Sequence, residues 1–548
     1  MISKLSPGAK LVANALVAEG VTSTFGVTGS HVIDLFQALY EAPDIGVVAA
    51  RHECGAALMA AAYARVSGNV GICVTTAGPG ALNALNGLAQ AQFSGLPVIC
   101  FSGGVPVEAV SFDLHGLNHE NYCIDAFGAI VKLAVRIQSL SCLADEISRA
   151  FQVAQSGRPG PVYIEIPWDL LSQMERYEHV TYKKSLSQPK RYCAGIVDSI
   201  IAVIAGSNAV ALVLDKGILG NPVITQLIRI AEARGLPIVT TRDALGLVPE
   251  SHPCYAGVLH GHYFGAFAAE TLNSVESCLC FGFDPGSNNR RAIEQTSGCC
   301  ASFVESMVGE SSENCDGKTL DEILHLVSEQ LELAVNEHTP QLSIGKHRAE
   351  SVHKFRSSLE GYAFQKPIHF GYALSVLAKY LPDDSITLLD AGSHEVWGRT
   401  VLPVNSELSL IGGNDWASMG FAIPATVGAR VAYPKRRLVC LTGDGCLLMS
   451  LSDLSTLIQA GGPTVVVNLN DSEYGMMSQV QLKKFGRIDG TDLPKTDFAR
   501  IATEFAGIAR RVEDPGELDE VFAEALDSDA PYFVDVICDS NSAYPVYE

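Results

Sequence analysis

Two carboxylates, one strand–helix–strand unit apart, are the residues of this chain with the clearest capacity for chemistry. Asp444 stands in Leu438-Val439-Cys440-Leu441-Thr442-Gly443-Asp444-Gly445, where an apolar run ends in a Gly-Asp-Gly turn. Asp471 stands 27 positions later in Asn470-Asp471-Ser472-Glu473-Tyr474-Gly475, at the end of a second apolar run, 464–469. Carboxylate oxygens are hard ligands, and with carbonyl and phosphate oxygens they complete the octahedral shell that Mg²⁺ prefers. Glycines let backbone approach a ligand closely, and the helix N-terminus after such a turn favours an anion such as phosphate. Gly-Asp-Gly alone is a common turn. Its pairing with Asn-Asp one crossover later is the specific signal. A third carboxylate, Glu53, lies far upstream in Arg51-His52-Glu53-Cys54-Gly55-Ala56-Ala57.

The elements that must position these groups read as strands alternating with helices. Over 8–185, a helix is expected at 10–20, a strand at 24–27, a helix at 31–40, and strands at 70–75, 96–102 and 162–166. The polar stretch 176–190 reads as a linker. A second set follows, with strands at 210–214, 236–240 and 278–283 and a surface loop at 306–318. The polar stretch 335–366 reads as a second linker. The third set has strands at 386–389, 438–442, 465–469 and 532–537, with a helix at 450–460. This alternation implies an α/β fold of three doubly wound parallel-sheet domains, 1–185, 190–340 and 360–548. Ligands of such sheets bind beyond the carboxyl ends of the strands, where both aspartate turns fall.

Composition narrows the function. The 548 residues are 47% apolar and 18% charged, which excludes a disordered chain. Lys plus Arg is 38 against 60 Asp plus Glu, a formal charge of −22. Such a chain repels polyanions, so no nucleic-acid partner is expected. No long apolar run reads as a membrane span, and residues 1–7 do not open a signal peptide. The 15 cysteines show no CxxC pair and read as buried, reduced thiols, so a cytoplasmic location is expected.

Gly443-Asp444-Gly445, the interval 446–469 and the Asn470-Asp471 pair resemble the cofactor motif of the thiamine diphosphate-dependent enzymes. Within them the chain is most similar to the acetolactate synthase, 2-oxo acid decarboxylase and benzaldehyde lyase group. The resemblance implies thiamine diphosphate and Mg²⁺ as cofactors, with Asp444, Asp471 and the backbone carbonyl of Glu473 on the metal. It implies cofactor contacts at Gly443, Gly445, Cys446, Tyr474, Gly475 and Met476. Asp471 departs from the usual Asn; both offer an oxygen, and the added charge bears on diphosphate affinity and Mg²⁺ demand. The Glu53 segment, continued by Ala61-Ala62-Tyr63-Ala64-Arg65, resembles the segment carrying the activating glutamate. There a carboxyl at the aminopyrimidine favours the imino tautomer that takes the thiazolium proton. Thr76-Ala77-Gly78-Pro79-Gly80 with Asn83 resembles a loop near that ring. Asp390-Ala391-Gly392-Ser393-His394 resembles the diphosphate loop, with Ser393 where Gln is common, and Ser418-Met419-Gly420-Phe421 the segment whose bulky residue bends the cofactor; Met419 takes that role. By resemblance the three domains are pyrimidine-binding, middle and diphosphate-binding. The glutamate of one subunit meets cofactor held mainly by another, so a homodimer or homotetramer is implied.

The implied reaction is decarboxylation of a 2-oxo acid, then release of an aldehyde or attack on a second carbonyl to give an acyloin. The adjacent His-His pair of the pyruvate decarboxylases is absent from this sequence. Its region reads His115-Gly116-Leu117-Asn118-His119-Glu120-Asn121, where Asn118 or His119 stands in for the substrate-facing Gln of the synthases. Gly29-Ser30-His31 resembles a segment whose histidine can face the active site; either histidine has a purely structural alternative. Met476, Met477 and Gln479, after the second turn, are candidates for the substrate pocket. The middle segment Phe281-Gly282-Phe283-Asp284-Pro285-Gly286 has no GxGxxG, which argues against FAD. The expected function is an acetolactate synthase-like carboligase on small 2-oxo acids or aldehydes. The alternatives are a non-oxidative decarboxylase, a benzaldehyde lyase-like acyloin lyase, or a catalytically silent cofactor-binding paralogue.

Overall fold

The computed structural model describes residues 7–107, 115–117, 119, 121–172, 182–184, 195–207, 209–259, 265–284, 287–295, 299–304, 318–333 and 343–542. Three parallel sheets organise them. The first holds β1 (Ser23–Gly26), β2 (Gly46–Ala49), β3 (Gly71–Thr75), β4 (Val98–Gly104), β5 (Leu133–Arg136) and β6 (Val162–Pro167), in spatial order β2-β1-β3-β4-β6-β5. The second holds β7 (Val210–Leu214), β8 (Ile238–Thr241), β9 (Tyr255–Leu259), β10 (Ser277–Phe281) and β11 (Cys300–Phe303), in order β11-β10-β7-β8-β9. The third holds β12 (Ile386–Leu389), β13 (Leu410–Gly412), β14 (Leu438–Gly443), β15 (Thr464–Asn470), β16 (Ile508–Val512) and β17 (Tyr532–Ile537), in order β13-β12-β14-β15-β17-β16. The three-domain α/β architecture read from the sequence is the one observed.

The interior strands β3, β4, β7, β14 and β15 are buried along their whole length. Helices cover both faces of a parallel sheet, so such strands need apolar side chains on both sides. Two expectations are corrected. The stretch 335–366 is not simply a linker: Ser343–Ser358 is a helix and Leu359–Tyr362 a 3₁₀ turn. Arg348 holds that helix down, its guanidinium donating to the Glu250 carbonyl and lying over the Tyr255 ring. The helix expected at 450–460 begins six residues earlier, at Asp444 itself, and is interrupted only at Ser450 (φ −125°, ψ 17°). Residues 306–317 of the expected loop and most of the linker 176–190 lie outside the described residues.

The joint between the first and third sheets is a packed helix pair, Glu53–Ser67 against Ala422–Ala432. Small residues make it possible: Ala56, Ala57, Ala60 and Ala61 are fully buried, and a Cβ on Gly428 would sit 2.1 Å from the Met59 carbonyl oxygen. The helix Asp444–Ala460 adds a polar latch. Its Asp453 accepts the Arg51 N–H at 3.0 Å, and a Cβ on Gly55 would lie 2.0 Å from Asp453 Oδ2. The helix that opens with Asp444 therefore also seats the helix that opens with Glu53.

Candidate active site

Parallel strands aim their carboxyl ends at one edge of the sheet, and in the third sheet three helices start there: Ser393–Val401, Asp444–Ala460 and Gly475–Phe485. Their N-termini surround a cavity of about 230 Å³. Its walls bring together Gly392, Ser393 and His394 beyond β12, Gly443, Asp444, Gly445 and Cys446 beyond β14, and Met419. Asp471, Glu473, Tyr474, Gly475, Met476 and Met477 beyond β15 join them. Gln479 lies outside that lining, a turn farther along its helix and away from the cavity end.

The glycines here buy approach: a Cβ on Gly443 would sit 2.8 Å from His394 Nδ1, and one on Gly475 2.6 Å from Asp471 Oδ2. Three buried polar atoms in the wall, Ser393 Oγ, His394 Nε2 and Asp444 Oδ2, have no hydrogen-bond partner within the described protein. A buried polar group left unpaired costs about 1–3 kcal/mol, so such a cluster marks a place built for a polar ligand. Burial pushes the His394 imidazole down to about 4, so it is neutral at physiological pH.

On the acidic side, ionisation of the two aspartates is disfavoured. Burial raises Asp444 to about 6, against the opposing N–H bonds of Gly445, Ser472 and Glu473. Asp471 is pushed up to about 8, first by burial and then by the charges of Asp444 and Glu473. The Glu473 carboxylate is turned aside, accepting from the hydroxyls of Ser478 and of Thr491, the latter at 3.3 Å. That leaves its carbonyl, as the resemblance implied, rather than its side chain for a metal. Asn470 is structural: its amide donates to Asp535 at 3.1 Å and to the Thr496 carbonyl at 3.2 Å. Among the described residues no cluster of three or more His, Cys, Asp or Glu side chains forms a metal site. Two carboxylates here need a carbonyl and ligand oxygens to complete a shell, which is the Mg²⁺ pattern. The donor set thus fits a divalent cation, and the unpaired donors fit a diphosphate.

Sequence reasoning missed Phe370, Ala391 and Leu469 in the wall. Ala391 and Leu469 adjoin recognised motifs, whereas Phe370 arrives from a separate helix, Phe370–Tyr380, with no local signal. It also missed what Asp390 does. This fully buried carboxylate accepts from the backbone N–H groups of Gly420, Phe421 and Ala422 at 2.9, 3.0 and 3.3 Å and from Thr442 Oγ1 at 3.1 Å. One side chain thereby ties the Ser393 loop, β14 and the Met419 segment together.

Glu53, Gly78 and Asn83 do not line the cavity. Glu53 opens its helix 8% exposed, with Asn83 Nδ2 donating to Oε2 at 3.0 Å. A Cβ on Gly80 would come within 3.0 Å of Oε1, so the Gly78–Gly80 loop lies directly on the carboxylate. His31 follows β1 and is buried. His119 is exposed, 3.6 Å from the Asp125 carboxylate, and Asn118 lies outside the described residues. The ring that meets His31 is that of His115, centroids 5.1 Å apart.

Residues 7–127 match the family description "Thiamine pyrophosphate enzyme, N-terminal TPP binding domain", 197–296 its central domain and 390–536 its C-terminal TPP binding domain. The chain belongs to the thiamine pyrophosphate enzymes and uses that cofactor to form or cleave C–C bonds. It is 27% identical to acetolactate synthase isozyme 3 large subunit of Escherichia coli K12, across 98% of this chain and 96% of that protein. It is 28% identical to acetolactate synthase of Bacillus subtilis 168 (97% and 93%) and 27% identical to a probable acetolactate synthase large subunit of Methanococcus aeolicus (98% and 92%). Among the described residues no helix is long and apolar enough to cross a membrane.

Proposed function

We propose that the protein is a thiamine diphosphate- and Mg²⁺-dependent carboligase that decarboxylates a small 2-oxo acid and joins the remaining carbon unit to a second carbonyl, as the names of its full-length relatives suggest. The observation that carries the metal assignment is that, among the described residues, no Lys or Arg lines the cavity. A buried diphosphate without a cationic side chain needs a metal ion, and Asp444 and Asp471 are the carboxylates placed to hold it. When bound, thiamine diphosphate supplies a carbon nucleophile that also accommodates the electron pair left by CO₂.

In this reading Ser393, His394 and the three helix N-termini hold the diphosphate, and Met419, 37% exposed, props the cofactor. Asp390 fixes the loops that carry these groups. Glu53, braced by Asn83, holds the proton at the aminopyrimidine. Because Glu53 lies outside the cavity of its own chain, the complete site takes Glu53 from a second copy, in a homodimer or homotetramer.

The test is product analysis by NMR with thiamine diphosphate, Mg²⁺ and pyruvate, alone and with an aldehyde or a second 2-oxo acid. A cofactor-dependent acyloin or acetohydroxy acid is expected. Aldehyde as the sole product would replace the carboligase by a decarboxylase, and binding without CO₂ release from any 2-oxo acid would make the chain a silent paralogue.

A further inference from the structure

We propose that His31 and His115 form a single proton-transfer pair for the substrate site, with Tyr122 as its positioning residue; this rests on the 2-oxo acid reading above. The two histidines are far apart in sequence, yet their rings meet edge-on at 5.1 Å and 65°. Both are fixed by backbone. His31 is 6% exposed, and a Cβ on Gly103, at the end of β4, would lie 2.6 Å from its Cβ. Its Nδ1 is 3.1 Å from Ser30 Oγ. His115 has φ +68°, a conformation that costs a non-glycine residue free energy and that recurs at functional sites. Tyr122 holds it there, its hydroxyl donating to the His115 carbonyl at 2.6 Å.

The pair adjoins the loop that lies on Glu53. A Cβ on Gly78 would be 2.8 Å from His115 Cβ and 3.3 Å from Tyr122 Oη, while Gly80, two residues on, faces Glu53 Oε1. The pair and Glu53 thus flank one short loop. In the single chain His31 is buried and His115 is exposed, which is the order a relay from solvent requires.

The chemistry needs such a relay. A 2-oxo acid anion plus one proton gives CO₂ and an aldehyde. A 2-oxo acid anion plus an acceptor carbonyl plus one proton gives CO₂ and an acyloin. In both, the C–COO⁻ bond breaks and its electron pair forms the new bond. In the first case that bond is C–H. In the second it is C–C, and the acceptor's π pair moves to oxygen, which takes the proton. One proton from water enters per turnover. His115, open to solvent, takes it up and His31 passes it inward.

The experiment uses the full chain with thiamine diphosphate, Mg²⁺ and a panel of 2-oxo acids, reading CO₂, products and cofactor affinity by calorimetry. His115→Gln is expected to lower kcat about 100-fold, the lower range for a lost proton-transfer group, with cofactor affinity within about twofold of wild type. Imidazole should restore a large part of the activity of His115→Ala, because that ring is exposed. The double variant His31→Gln/His115→Gln should be no slower than the slower single variant, as for residues acting as a unit. Tyr122→Phe should lower kcat at constant KM and add no loss on top of His115→Gln, a non-additivity that a merely structural tyrosine lacks. Wild-type kcat in His115→Gln, or independent additive losses at His31 and His115, would overturn the pair. A wild-type protein that releases CO₂ from none of the acids would instead remove the 2-oxo acid reading, and the pair with it.

Discussion

The first and third sheets place their six strands in the same order, second, first, third, fourth, sixth, fifth, and each follows its first strand with the same tripeptide. Gly29-Ser30-His31 comes after β1 and Gly392-Ser393-His394 after β12. Each sheet also leaves its third strand through glycines: Gly78 and Gly80 after β3, Gly443 at the end of β14 and Gly445 just beyond it. The surroundings differ. The third sheet gathers carboxylates, three helix N-termini and a buried neutral imidazole around a cavity. The first gathers Glu53, Asn83 and two touching histidines around a loop. The fold decides where a side chain emerges; burial and neighbours decide what it does. One unit is suited to hold charge still and the other to move protons.

The sharpest way to break this division is to remove one carboxylate from each side. Asp444→Ala is expected to abolish metal-dependent cofactor binding, so that calorimetry with Mg²⁺ finds no saturable uptake. Normal affinity in that variant would place the metal elsewhere. Glu53→Gln keeps size and burial and is expected to leave cofactor affinity near wild type while kcat falls about 10²–10⁴-fold. If affinity and kcat fell together, the two sheets would not divide the work as argued.

The joint between the sheets is the next target. Gly428→Val sets side-chain atoms into the Met59 carbonyl, and overpacking of this kind costs about 1–3 kcal/mol. A lower midpoint for the first unfolding transition in urea is expected. An unchanged midpoint would mean that the two helices do not pack this closely.

What the sequence made legible follows the same physics. The six strands absent from the sequence reading, β2, β5, β9, β11, β13 and β16, are the edge strands of the three sheets. Interior strands are buried on both faces and read as unbroken apolar runs. An edge strand such as β16, Ile-Ala-Arg-Arg-Val, leaves Ile508 and Arg510 exposed and Ala509 and Arg511 half-buried, so two adjacent arginines, one on each face, break its apolar run. The cavity was legible because its residues sit in contiguous motifs at the ends of β12, β14 and β15. Glu53 was legible only through family resemblance, since one carboxylate at a helix start has no local signature. His115 ranks below His31 and His119 in the sequence because its meeting with His31 depends on a positive φ and a tyrosine seven residues on. Neither is a pattern of residue types.

The two Gly-Ser-His tripeptides allow the finest test. His394→Asn keeps a polar group facing the diphosphate but displaces its donor, a loss of roughly one hydrogen bond and about tenfold in cofactor affinity. The pH dependence carries the discrimination. With its folded pKa pushed down to about 4, His394 stays neutral from pH 5 to 8, so wild type and His394→Asn should differ by a constant factor across that range. Its contribution to folding is present above its ordinary value of about 6.5 and is lost as pH falls through about 4, so only acid should narrow the stability gap between them. At His31 the parallel substitution should leave cofactor affinity alone and lower kcat. A His394→Asn defect in affinity that changes steeply between pH 6 and 7 would mean that this imidazole binds the diphosphate as a cation. The division between a static and a proton-moving sheet would then fail at its most closely matched pair of residues.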